Sequence, residues 1–198
     1  MSQSAQQSLS DRIRQMREIE MIPWNSFPEI DLYMDQVITL MNRQLDPLYS
    51  ETDKPLTPSM INNYVKDGVM PRPEHKKYNR EHLTILSLIC MLKPEFALPE
   101  IRELVTALSR CYSTEDIYEA FCAAQISYLR DAAEQLEPAE SMDEAARYRL
   151  AMELALEANA KRIAATRLLE SLIPKETPPE DKKEKKEKKD KKKKTETD

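Results

Sequence analysis

The chain places one glycine in 198 residues. Tight hairpins rely on positive φ, which glycine adopts at no steric cost. A sheet-rich fold with many such turns would need more, so a mostly α fold is expected. A glycine-rich phosphate-cradling loop is argued against on the same ground. The question is then why the one glycine, Gly68, stands where it does.

Gly68 follows "LTPSMINNYVKD". Thr57 sits at an N-cap position and Pro58 at the first helical position, which predicts a helix over 57–67. Gly68 falls where that helix needs a left-handed residue to stop. At 100° per residue, Met60, Ile61, Tyr64 and Val65 share one side of the helix. Ser59, Asn62, Asn63 and Lys66 share the other.

The next segment, "VMPRPEHKKY" (69–78), is too short and proline-rich for a helix. It is expected to form a small β-hairpin wing with Arg72, His75, Lys76 and Lys77 near its tip. Asn79 caps "REHLTILSLICML", which is apolar nearly all round and is expected to be the buried centre of the domain. Tyr64 and Tyr78 are expected to pack against the domain. His82 is expected to pack or to cap near Asn79.

Around this centre the pattern stays helical. Ser10 is expected to cap a short helix, "DRIRQMREIEM". "IPWNSFP" interrupts it, with Trp24 and Phe27 pinning the crossing segment to the core. "IDLYMDQVITLMNRQL" carries apolar residues at 30, 34, 37, 38, 41 and 45, one face of a helix. A polar loop over 46–56 follows. "EIRELVTALSR" is amphipathic, and "STEDIYEAFCAAQISYLRDAAEQL" opens with Ser113 or Thr114 as cap. Beyond Pro138, "SMDEAARYRLAMELALEANAKRIAATRLLESLI" predicts a helix of about 30 residues, or about 45 Å. Its apolar pattern is not a clean heptad, so a packed helix is expected and not a coiled coil. The Lys/Glu-rich stretch 175–198 cannot bury anything and is expected to be disordered. The division expected is an N-terminal arm with a short helix (1–23), a winged helix-turn-helix domain (24–110), a C-terminal helical region (111–174) and the charged tail (175–198).

Charge is uneven. The stretch from Lys175 onward holds 11 lysines and 8 acidic residues, and the first 174 residues carry a net −8. Between Pro55 and Leu83 five basic residues face three acidic ones, a local +2. An acidic body argues against nucleic-acid binding over the whole surface and leaves room for one basic face.

No nucleophile elbow, P-loop or HExxH occurs, and the carboxylates are scattered, so a non-enzymatic protein without a cofactor is expected. His75 and His82 are the only histidines. One lies in the wing and one on a helix, and they make neither a metal site nor a catalytic pair. Cys90, Cys111 and Cys122 lie in apolar helical contexts and are expected to be reduced, buried thiols of a cytoplasmic protein. There is no apolar run of signal-peptide or membrane-span type.

"SMINNYVKDGVMPRP", "KKYNREHLTILSLICML" and "ALPEIRELV" together resemble the DNA-binding domain of the MerR family. Ile61, Tyr64, Gly68, Pro71, Tyr78 and Leu83 fall on its pattern. Over roughly residues 24–110 the chain is also similar to a domain-of-unknown-function family of low-GC Gram-positive bacteria. The resemblance implies a MerR-like winged helix-turn-helix protein, a transcriptional regulator that contacts double-stranded DNA through Ser59, Asn62, Asn63, Lys66, Arg72, His75, Lys76, Lys77 and Arg80. It implies a homodimer joined through residues 111–173, where by analogy an effector pocket would lie. Where the MerR pattern carries an arginine and an aromatic before the tyrosine, this chain has Asn62 and Asn63. A protein-interaction adaptor that keeps the fold without binding DNA is therefore the alternative.

Overall fold

A computed structural model describes residues 8–48 and 55–172. The expected tail over 175–198 and much of the 46–56 loop lie outside the described residues. The architecture is mostly helical. Among the described residues seven α-helices run in the order α1 (Leu9–Arg17), α2 (Met34–Leu45), α3 (Pro58–Lys66), α4 (Arg80–Leu92), α5 (Leu98–Ser109), α6 (Thr114–Leu136) and α7 (Glu144–Leu172). Two short strands, β1 (Leu32–Tyr33) and β2 (Lys77–Tyr78), pair antiparallel. No described helix is long and apolar enough to cross a membrane.

α4 is the centre of the core. Every residue from His82 to Ile89 is buried, as its all-round apolar pattern predicts. α2, α5 and α6 pack around it, contributing Val37, Met41, Leu45, Ile101, Val105 and Tyr118. Tyr118 ties the N-terminal crossing segment to this core. Its ring lies 4.8 Å from Phe27 and 6.1 Å from Trp24. Its hydroxyl donates to the Ile22 carbonyl at 2.8 Å and accepts from Gln44 Nε2 at 3.1 Å. Ile117 and Tyr118 belong to the 111–174 region, yet they share one core with residues 27–105.

Several boundaries differ from the sequence expectation. Ser8, not Ser10, caps α1, because its Oγ accepts from Asp11 N–H at 3.1 Å. α1 stops at Arg17, short of the expected Met21. Ile19 and Met21 beyond it are nonetheless buried. α2 begins at Met34 and not at Ile30, which is 74% exposed. The cause is a long-range pairing: Leu32 and Tyr33 lie opposite Tyr78 and Lys77, and a strand cannot also be a helix turn. α5 starts at Leu98, where Ala97 N–H donates to Glu100 Oε2 at 2.7 Å.

The expected wing hairpin is reduced to its turn. Glu74 and Lys77 form an isolated antiparallel bridge around His75 and Lys76. The strand leaving this turn pairs with β1 and not with 69–73. Pro71 and Pro73 explain this, since proline has no N–H to give a ladder.

Gly68 performs the role its position predicts. Its φ is +69°, Gly68 N–H donates to the Val65 carbonyl at 3.2 Å, and Val69 N–H donates to the Tyr64 carbonyl at 2.9 Å. That pair of bonds is a Schellman cap. It turns the chain so that Val69 and Met70 enter the core. A Cβ at Gly68 would meet nothing within 4 Å, so substitution is limited by backbone strain alone. Gly68→Ala is expected to cost about 1 kcal/mol, measured by urea denaturation. An unchanged midpoint would show that the cap does not need a left-handed residue.

Candidate nucleic-acid interface

α3 is held by one face. Ile61 and Tyr64 are buried, whereas Ser59, Asn62, Asn63 and Lys66 are exposed. Thr57 Oγ1 accepts from Met60 N–H at 3.4 Å, and Pro58 opens the first turn. The helix therefore displays short polar side chains and one cation that no described residue covers. Burial pushes the Tyr64 hydroxyl up to about 12, with the nearby Cys90 thiol adding to it. Tyr64 is a neutral core residue at any ordinary pH.

The wing turn follows directly. His75 and Lys76 have φ of +48° and +63°, and Lys77 N–H donates to the Glu74 carbonyl at 2.8 Å. Two successive positive φ values are what a two-residue type I′ turn demands, and asparagine-glycine is the usual choice. Here both residues carry a Cβ, at a cost of roughly 1–2 kcal/mol each. Arg72, His75 and Lys76 are exposed. Lys77 is half-buried, with Nζ 5.4 Å from the centre of the Tyr33 ring, its neighbour across the strand pair.

Arg80 is placed differently from the other predicted residues. It is half-buried, donates to the Phe27 carbonyl at 2.9 Å and lies 5.8 Å from the Trp24 ring. It fastens the 24–28 segment to α4, and its Nε is buried without a partner among the described residues. Its guanidinium faces inward while the α3 and wing side chains face out.

His82 sits beneath the wing. His82 N–H donates to Asn79 Oδ1 at 3.2 Å, and Asn79 N–H donates to His82 Nδ1 at 3.2 Å. His82 Nδ1 also lies 2.6 Å from Asn79 Oδ1, and Nε2 is buried without a hydrogen-bond partner among the described residues. Burial pulls the imidazole below its ordinary 6.5. Glu81, Asp31 and the carbonyls of Arg72 and Pro71 oppose that shift without overcoming it. The unfolded chain thus binds a proton before the folded one does. Stability is expected to be level above about pH 6.5 and to fall as pH drops from there toward the folded value. The check is the urea midpoint against pH for the wild type and for His82→Gln. The variant should lose the part of the slope that lies just below about pH 6.5, and an identical slope would acquit His82.

Sequence reasoning missed Arg110, at the end of α5. Arg110 is exposed and shares a groove with Lys66 and Arg72. It lies 27 residues beyond Leu83, outside the charge count that singled out the basic segment, and only the packing of α5 on α4 brings it there.

No curated protein and no solved structure matches the chain. The family described as Domain of unknown function (DUF1836) matches residues 22–121. That range begins at Ile22, whose carbonyl Tyr118 holds, and ends within α6 just past Tyr118. It contains α2 to α5, the strand pair and the wing turn. The match covers just over half of the 198 residues, and the chain belongs to this DUF1836 family.

Proposed function

We propose that this protein is a DNA-binding transcriptional regulator with a MerR-like winged helix-turn-helix. α3 reads base edges in the major groove, and the wing grips the backbone. The observation that carries the reading is the outer face of α3. Ser59, Asn62, Asn63 and Lys66 are all exposed there, opposite buried Ile61 and Tyr64, beside a turn that extends His75 and Lys76. Asparagine offers adenine N6 and N7 a bidentate partner, and lysine neutralises phosphate. Non-enzymatic action follows, because DNA recognition needs no bond to be made.

One nine-residue helix reads too few base pairs for useful specificity, so the regulator acts as a dimer. α7 supports this. Tyr148, Met152, Leu156 and Ile163 are each 46–71% exposed and lie within about 80° of one another around the helix. Its half from Glu144 to Glu157 carries a net −1 and its half from Ala158 to Leu172 a net +2. Two copies running antiparallel would set unlike halves together. Sedimentation velocity of the full chain should give a dimer, and a monomer at tens of micromolar would remove the dimer from this reading.

The adaptor alternative is favoured by two facts, Asn62 and Asn63 where the MerR pattern carries an arginine and an aromatic, and the net −8 of residues 1–174. Salt separates the two. A regulator neutralising several phosphates loses affinity as salt rises, with a log–log slope of about −0.9 per phosphate. Fluorescence anisotropy with duplex DNA from low to moderate salt shows that slope. No binding at low salt would leave the adaptor standing.

A further inference from the structure

The groove beside the C-terminal end of α3 combines features that DNA contact alone does not use. It is an open groove of about 700 Å³ between the end of α3, the base of the wing and α5. Ligand sites typically occupy roughly 300–1,000 Å³. Its walls include apolar Val65, Met70, Ile85 and Val105. Three cations, Lys66, Arg72 and Arg110, line it against one acid, Glu81. None of the three cations has an ion pair or a side-chain hydrogen bond among the described residues. In a body of net −8, three cations that no described side chain pairs, set around an apolar floor, are a local reversal of charge.

We infer that this groove binds a small amphipathic carboxylate, an anion with an apolar body, through Arg110, Arg72 and Lys66. The charge selects an anion over a cation or a neutral molecule. The apolar floor selects a ligand with a hydrocarbon or aryl body over a bare phosphate, with half-buried Val65 its most open part and Ile85 and Val105 lying beneath. The carboxylate suits the two arginines, whose guanidinium forks match its geometry. The resemblance implies an effector pocket among the helices of 113–173. This groove lies outside that region, on the reading helix and wing themselves. Because Lys66 and Arg72 also belong to the proposed DNA surface, the ligand and DNA would oppose each other, and linkage makes that opposition reciprocal.

The site is tested without DNA, so its failure and the failure of the regulator reading are distinguishable. Decanoate is titrated into the full chain carrying labelled valine, isoleucine and methionine methyls, with decanol and decylamine as controls. Decanoate should shift the methyl signals of Val65, Val69, Met70, Ile85 and Val105, and decanol and decylamine should bind at least about tenfold more weakly. Arg110→Gln, at an exposed position, should weaken decanoate by about tenfold with the urea midpoint unchanged. Three results would each overturn the site. They are no shift at those methyls, equal binding of decanol or decylamine, and unchanged binding in Arg110→Gln. Shifts confined to Met152 and Ile163 of α7 would overturn it too, by placing the ligand elsewhere.

Discussion

Replacing Asn62, Asn63 and Lys66 together by alanine is expected to lower the affinity of the full chain for its specific duplex about a thousandfold. Each bidentate asparagine–adenine pair contributes about 1–3 kcal/mol of discrimination. Two of them give roughly 4 kcal/mol, and tenfold is about 1.4 kcal/mol. Loss of Lys66 should also flatten the salt slope by about 0.9. The fold should be untouched or slightly more stable, because all three side chains are exposed on α3 and alanine is the better helix former. That combination marks a reading surface. A fall in stability of more than about 1 kcal/mol would mean that these residues hold the fold. Unchanged affinity with unchanged stability would mean that another element reads the DNA.

Exchanging His75-Lys76 for Asn-Gly should move stability and binding in opposite directions. Both residues are left-handed, at φ +48° and +63°, and asparagine-glycine fits such a turn without strain. Relieving both residues gives about 2–4 kcal/mol, glycine's greater freedom in the unfolded chain takes back about 1, and the net gain is expected to be about 1–3 kcal/mol, read from the urea midpoint. DNA affinity should fall by about tenfold, with the salt slope flatter by about 0.9 because the Lys76 ammonium no longer neutralises a phosphate. A turn kept in a strained conformation for the sake of the side chains it displays behaves in this way. A variant that is more stable and binds DNA with unchanged slope would make the turn a structural accident of the route into β2.

What is legible in the sequence is local. The single glycine, with Thr57 and Pro58 at the other end, marks α3 at both termini. The alternation of Ile61 and Tyr64 with Asn62 and Asn63 shows which side of α3 is buried. The all-round apolar pattern of α4 places it at the centre, and the three-residue spacing of Asn79 and His82 suggests a cap. What is not legible depends on residues far apart in the chain. Leu32 and Tyr33 lie between Ile30 and Met34 of a helical periodicity until Tyr78 and Lys77 arrive opposite them. Arg80 belongs to a basic segment by composition, yet the Phe27 carbonyl and the Trp24 ring draw it inward. No residue at 75 or 76 has the chemistry that ordinarily announces a left-handed turn. Arg110 reaches the groove only through the packing of α5 on α4. Ser10 has the chemistry of a cap, but Ser8 takes the role because Asp11 N–H lies within its reach.

The most direct test of DNA reading by α3 is affinity capture of sheared genomic DNA with the purified full chain, run beside the Asn62, Asn63 and Lys66 triple alanine variant. A dimeric regulator gives sharp enrichment at sites with two-fold symmetric sequence, and the variant loses those peaks. No enrichment by the wild-type chain at low salt, or the same peaks from the variant, would contradict it.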